Sequence, residues 1–127
     1  MIRIMVVDDE RDVQLLFQQR FRKEVREGQM EFHFAFSGES ALEYLTEHGV
    51  SDIALLLSDI NMPGMSGLDL LRIAKERYAT LKVFMITAYG DAGNYQAALR
   101  YGSDEYFTKP IDFNELKEKL VRLNPAA

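Results

Sequence analysis

The chain of 127 residues contains no cysteine. Disulfides and thiolate zinc sites are therefore excluded, and a reducing compartment such as the cytoplasm is the expected location. No apolar stretch approaches the ~20 residues that a membrane-spanning helix requires. A signal-peptide pattern is also missing, because Arg3 is followed by only four apolar residues before Asp8 and Asp9. Positive charge is in deficit: 15 Lys and Arg against 20 Asp and Glu give a formal net charge of −5. An acidic surface repels nucleic acid, so direct nucleic-acid binding is not expected. Repeats, low-complexity segments and internal linkers are absent from the sequence. One domain is expected over residues 1–124, with 125–127 as a tail or the start of a linker.

What is present is a fivefold alternation of strand-like and helix-like segments. Candidate strands are Ile2–Val7, Met30–Phe36, Ile53–Ser58, Lys82–Thr87 and Glu105–Thr108. Candidate helices are Asp12–Glu27, Glu39–His48, Gly67–Tyr78, Ala92–Tyr101 and Phe113–Leu123. Such alternation predicts a parallel sheet with helices on both faces. In the first helix Val13, Leu16, Phe17, Phe21 and Val25 fall on one stripe. Phe113, Leu116, Leu120 and Leu123 do the same in the last. Asp112 and Ser37 read as N-caps, and Gly28, Gly49 and Gly102 follow three helix ends.

The strands are of two kinds. The first, third and fourth are continuously apolar, as expected when both sheet faces are covered. The second alternates, with Phe32, Phe34 and Phe36 on one face and Glu31, His33 and Ala35 on the other. That suits an edge strand, and the short fifth suits the other edge. The predicted fold is a single α/β domain: a doubly wound, five-stranded parallel sheet in the order 2-1-3-4-5 with five helices, flavodoxin-like.

The chemistry sits where the strands end. Asp8 and Asp9 close the first run, Asp59 the third, Thr87 the fourth, and Lys109 follows the fifth. In a parallel sheet these side chains gather at the carboxyl edge, where open α/β sheets bind ligands. An acidic pocket with one lysine suits a divalent cation and an anionic group together. Each residue has a plainer reading when taken alone. An aspartate often ends a strand before a turn, an acidic pair favours a helix N-terminus, and a β-branched Thr suits a strand. Their coincidence is what carries weight.

Four motifs resemble the receiver domain of bacterial two-component response regulators, of the chemotaxis-regulator type. They are Val6-Val7-Asp8-Asp9-Glu10, Ser58-Asp59-Ile60-Asn61-Met62-Pro63-Gly64-Met65-Ser66-Gly67, Thr87-Ala88 and Tyr106-Phe107-Thr108-Lys109-Pro110. They occur in the family's order, on the elements that should carry them, across essentially the whole chain. Asp9 and Asp59 are 59 − 9 = 50 positions apart, a few more than is usual in the family. A longer first helix and a wider turn within residues 22–30 would absorb the excess, far from the acidic pocket.

The resemblance implies a phosphorylation-dependent switch rather than an enzyme, though intrinsic autodephosphorylation is possible in it. Asp59 would accept the phosphoryl group, since a carboxylate can form an aspartyl phosphate. Mg²⁺, or Mn²⁺ in its place, would be bound by Asp9, Asp59 and the backbone carbonyl of Asn61, with Asp8 acting through water. Lys109 and Thr87, with Ala88, would contact the phosphoryl oxygens. Thr87 and Tyr106 would be the switch, reshaping the surface of the fourth helix, fifth strand and fifth helix. The Lys109–Pro110 bond would be cis, Pro63 and Gly67 would shape the loop after Asp59, and Ser66 would cap the third helix. Asn61 and Tyr89 would tune phosphate lifetime, the bulky Tyr89 by shielding the phosphoryl group from water. The phosphoryl donor would be a sensor histidine kinase or a phosphotransfer protein. The output would go to an unknown partner or an effector domain, and a homodimer through the switch surface is possible. His33 and His48 are expected to be structural, since neither has ligand partners at metal spacing.

Other readings fit less well. A haloacid dehalogenase-type aspartate phosphatase needs Asp-x-Asp, whereas Asp8 and Asp9 are adjacent. A flavin domain needs a phosphate loop where Asp8-Asp9-Glu10 would repel one. A pseudo-receiver adaptor that works without phosphorylation lacks part of the acidic or lysine set, and this chain has all of it.

Overall fold

A computed structural model of the chain describes residues 1–88 and 92–123. The strands β1 (Ile2–Val7), β2 (Met30–Ala35), β3 (Leu55–Asp59), β4 (Lys82–Thr87) and β5 (Glu105–Thr108) form one sheet. Its order is β2-β1-β3-β4-β5. Every neighbouring pair is parallel, with Val7 opposite Ala35 and Ser58, and Thr87 opposite Thr108. Parallel neighbours need long crossovers. These carry α1 (Arg11–Arg20), α2 (Arg22–Arg26), α3 (Gly38–His48), α4 (Gly67–Arg77) and α5 (Ala92–Arg100), and α6 (Phe113–Val121) follows β5.

The two-residue period of the strands separates the core into two layers. Met5, Val7, Leu56, Val83 and Met85 face one side, against Ala41 and Leu45 of α3, Leu70, Leu71 and Ala74 of α4, and Ala98 of α5. Ile4, Val6, Leu55, Leu57, Phe84, Ile86 and Phe107 face the other, against Phe17, Phe21, Leu116 and Leu120. β3 is buried at every residue, which explains its continuously apolar run. Helix starts follow the expected chemistry. The Ser37 hydroxyl accepts from Ser40 N at 3.0 Å, and the Ser66 hydroxyl accepts from Asp69 N at 3.2 Å. Asp112 accepts from the backbone N–H groups of Asn114 and Glu115. Each satisfies donors that a helix leaves open in its first turn.

Two expectations need correction. The first crossover holds two helices instead of one, so six helices are described rather than five. The break is at Phe21, whose φ of −110° and ψ of 19° leave the helical region. Its ring is fully buried against Phe17, Phe32 and Phe113. Beyond it Glu24 is tied to Lys117 of α6 at 3.2 Å, so the short α2 follows its own path. The apolar stripe is also narrower than its spacing implied: Leu16 is 38% exposed and Val25 45%. After α2 the chain turns through Gly28, at φ +72°, into β2. All other boundaries fall within two residues of those expected. The boundary expected at residue 124 and the tail at 125–127 lie outside the described residues.

Candidate functional site: an acidic pocket at the carboxyl edge

β1 lies between β2 and β3, so the chain winds in opposite directions from it, and the switch point is at the carboxyl ends of β1 and β3. Asp8, Asp9 and Asp59 are at that point. Asp8 is 6% exposed and Asp59 5%, while Asp9 faces solvent. Carboxylate oxygens of all three lie within 4.8 Å of one another. The Lys109 ammonium is 3.5 Å from Asp59 Oδ2 and 3.6 Å from Asp8 Oδ2.

The backbone holds these groups in place. Asp8 N donates to Ala35 O at 3.1 Å, and Asp8 Oδ1 accepts from Glu10 N at 2.9 Å. Ile60 N donates to Ile86 O at 2.9 Å, and Gly67 N donates to Ile60 O at 2.7 Å. Gly67 begins α4 so close to the end of β3 that a Cβ there would overlap the Asp59 carbonyl oxygen. Only glycine permits this approach. Lys109 N donates to Thr87 O at 2.7 Å, which fixes the lysine's strand end to β4. The Lys109–Pro110 bond is cis.

Burial dominates the electrostatics. Desolvation raises the Asp59 carboxyl above its ordinary range, and the neighbouring Asp8 charge raises it further, while Lys109 opposes both. Asp8 is likewise raised by burial, against the Glu10 N–H and Lys109. Burial pulls Lys109 down, but Asp8, Asp59 and Glu10 outweigh it and the ammonium is held above its usual value. Three carboxylates against one ammonium leave two negative charges uncompensated when all are ionised. An all-oxygen donor set with that surplus fits a hard divalent cation such as Mg²⁺ or Mn²⁺. A cavity of about 520 Å³ opens beside the site, from Asp8, Asp59 and Lys109 along Val13, Leu16 and Phe113.

The structure places the other residues singled out in the sequence as follows. Thr87 ends β4 at 1% exposure. Tyr106 pairs with Met85, two residues before Thr87, so Tyr106 and Thr87 share a sheet face. The Tyr106 ring meets that of Tyr95 edge-on at 5.2 Å. Ala88 is exposed beside Thr87, and Asn61 and Pro63 lie in the loop between Asp59 and Gly67. Tyr89 lies outside the described residues. His33 and His48 are far from the pocket, stacked on opposite sides of Tyr44 at 3.9 and 4.2 Å. One contributor had no assigned role in the sequence reading: Ser58 Oγ donates to Asp59 O at 2.9 Å. A single hydroxyl inside an otherwise apolar strand was the available signal.

A parallel α/β sheet with an acid–lysine pocket at its switch point defines a class of regulatory domain. The sequence matches the response regulator receiver domain over residues 4–121, and the chain belongs to that family. It is 30% identical over 123 residues to sporulation initiation phosphotransferase F of Bacillus subtilis, covering 97% of this chain and 94% of that protein. It is 37% identical over 112 residues to the DNA-binding transcriptional regulator NtrC of Proteus hauseri, but spans only 22% of that longer protein. Among solved structures it resembles the response regulator TrrA of Thermotoga maritima in complex with Mg²⁺-BeF. The TM-score is 0.79 at 33% identity, covering 98% of this chain and all of that one.

Proposed function

We propose that this receiver domain is a phosphorylation-dependent signalling switch that accepts a phosphoryl group on Asp59 from a sensor histidine kinase or a phosphotransfer protein. The observation that carries the reading is the Lys109 ammonium, poised 3.5 Å from Asp59 beside three converging carboxylates. With a divalent cation added to Lys109, the site would carry the positive charge needed to receive a dianionic phosphoryl group. Asp8, Asp9, Asp59 and the backbone carbonyl of Asn61 would hold Mg²⁺, or Mn²⁺. When bound, the cation supplies charge neutralisation for the transferring phosphoryl oxygens.

The side chains divide the work. A carboxylate oxygen of Asp59 attacks phosphorus, and the bond from phosphorus to the donor's imidazole nitrogen breaks. The imidazole, protonated on its other nitrogen, leaves neutral with the bonding pair. Lys109 then pairs with the new phosphoryl group instead of the bare carboxylates. The added charge, about −1.5 to −2 at neutral pH, draws a hydrogen bond from the Thr87 hydroxyl. Tyr106, on the same sheet face, follows, and the surface of α5, β5 and α6 changes shape. Tyr95, Leu99 and Val121 are exposed large side chains on α5 and α6, as an output surface requires. An output partner, an effector domain or a second copy would read that surface.

The test is intact mass after incubation with acetyl phosphate, with and without Mg²⁺, alongside Asp59→Asn. The expected result is a gain of one phosphoryl group in the parent that needs Mg²⁺ and is lost in the variant. A folded parent that gains nothing would overturn the reading in favour of an adaptor that works without phosphorylation.

A further inference from the structure

The segments that follow the strands set the charge at the mouth of the pocket. After β1 come Asp8, Asp9, Glu10, Arg11 and Asp12; Glu39 follows β2, Asp59 ends β3, and Lys109 and Asp112 follow β5. Among the described residues of these segments the only cations are Arg11 and Lys109. Lys109 is held between Asp8 and Asp59. Arg11 is exposed at the first position of α1.

The placement of Arg11 is unusual in two respects. A cation at a helix N-terminus opposes the helix dipole, so the position does not help α1. Carboxylates flank it on both sides in sequence, yet among the described residues it forms no ion pair. Its guanidinium instead lies over the ring of Phe36, the residue after β2, with Cζ 4.1 Å from the centroid. A cation–π contact sets the guanidinium charge over the negative face of the ring. Among the described residues no hydrogen bond engages its N–H donors, whose fork matches a planar or tetrahedral anion. Because Arg11 and Phe36 both follow the carboxyl ends of neighbouring strands, the contact holds this charge at the carboxyl edge of the sheet.

We infer that Arg11, seated on Phe36, guides small anionic phosphodonors of the acyl phosphate class to Asp59. The inference rests on the reading of Asp59 as phosphoryl acceptor. An acyl phosphate meets a segment rich in carboxylates, and Lys109 is already tied to Asp8 and Asp59. Arg11 gives the donor's phosphoryl oxygens a first point of attraction. Asp59 then attacks phosphorus, the bond to the acyl oxygen breaks, and the carboxylate leaves with the electron pair; no proton is needed. Arg11 is a specificity-determining residue for the donor and takes no part in the chemical step.

The experiment compares the second-order rate of phosphorylation by acetyl phosphate, with Mg²⁺, for the parent, Arg11→Gln, Arg11→Lys and Phe36→Leu. Each is measured at low and high salt by the time course of intact mass. Arg11→Gln is expected to slow the reaction roughly fivefold at ~20 mM salt, with the gap closing at ~0.5 M, because screening removes steering. Arg11→Lys should recover most of the low-salt rate, and Phe36→Leu should fall between parent and Arg11→Gln. The spontaneous loss of phosphoryl from the loaded protein should not change. Equal low-salt rates for parent and Arg11→Gln would overturn the inference while leaving Asp59 as acceptor. A loss that is the same at both salts would also overturn it, since a packing defect does not respond to screening. Failure of the parent itself to gain phosphoryl would remove the acceptor reading and this inference with it.

Discussion

The two ends of the sheet handle charge in opposite ways. At the amino end, charged side chains pair with one another. Arg3 reaches Glu31 at 3.3 Å and Asp52 at 3.4 Å, and Asp104 takes Lys75 at 2.8 Å and Lys82 at 3.8 Å. At the carboxyl end, Asp8, Ser58, Asp59 and Thr87 are the buried polar side chains among the described residues. Two of these are carboxylates of the same sign, with one lysine between them. The amino end is arranged for stability, and its exposed pairs contribute little individually. At the carboxyl end burial, and for Asp59 also the neighbouring Asp8 charge, raise the carboxyls of Asp8 and Asp59 above the ordinary range, as is common at ligand sites. The same sheet thus separates paired surface charges from a mostly buried acidic cluster along the strand direction.

The largest expected effect is at the point where backbone closes on the acidic pocket. Gly67→Ala should destabilise the domain by roughly 3 kcal/mol, because its Cβ meets main chain that cannot yield. Urea unfolding of the variant with a midpoint equal to the parent's would refute the close approach.

An intermediate effect is expected at the opposite end. Asp104 also accepts from Val83 N at 2.8 Å, so its carboxylate joins the start of β4 to α4 through Lys75. Asp104→Ala should lower stability by roughly 1–3 kcal/mol, since it leaves a partly buried N–H without its partner. A thermal midpoint unchanged from the parent would show that this end is not held by charge.

The smallest effect should have the opposite sign and sharpen the contrast. Without Mg²⁺, Asp59→Asn is expected to be more stable than the parent at neutral pH. The folded-state values of Asp59 and Asp8 are raised, by burial first, so ionising them works against the fold. That penalty is complete above the folded values and fades as pH falls toward the ordinary carboxylate value of 3.8. The stability difference between variant and parent should therefore shrink on acidification from pH 7 toward 4. Lys109 acts the other way: its raised value contributes stability that persists at neutral pH and is lost only as pH rises through it. Mg²⁺ should raise the parent's midpoint more than the variant's. Thermal unfolding across pH, with and without Mg²⁺, checks each part, and a variant less stable than the parent at every pH would sink the account.

Much of this was legible in the residues. Continuous apolar runs marked β1, β3 and β4 as central, and the alternation of Glu31 to Phe36 marked β2 as an edge. Charged or hydroxyl side chains at four strand ends gave the site once the strands were taken as parallel. The sequence marks Gly67 as a residue that shapes the loop after Asp59, although the contact that requires glycine there comes only from the fold. The break at Phe21 was not legible, because residues 12–27 keep a helical period across it. What bends the chain is the distant company of that ring, Phe32 on β2 and Phe113 on α6. Leu16 was misplaced for a related reason: periodicity shows which residues share a helix face, not how far the neighbouring layer extends. The stack of His33, Tyr44 and His48 combines a visible four-residue helical spacing with a strand partner that the sequence leaves unmarked.

The sequence by itself determined the alternation of layers and the end of the sheet where Asp8, Asp9, Asp59 and Lys109 gather. Both follow from local rules of period, strand-terminal residue types and parallel winding, while the full strand order also drew on the family resemblance. Only the tertiary structure decided how the charges are used. Whether an aspartate is solvated or enclosed, and whether a lysine lies 3.5 Å from it, depends on neighbours brought from other strands. The same holds for an arginine that settles on a ring rather than on an acid. Burial and Coulomb energy depend on distance in space, which residue spacing along the chain does not encode.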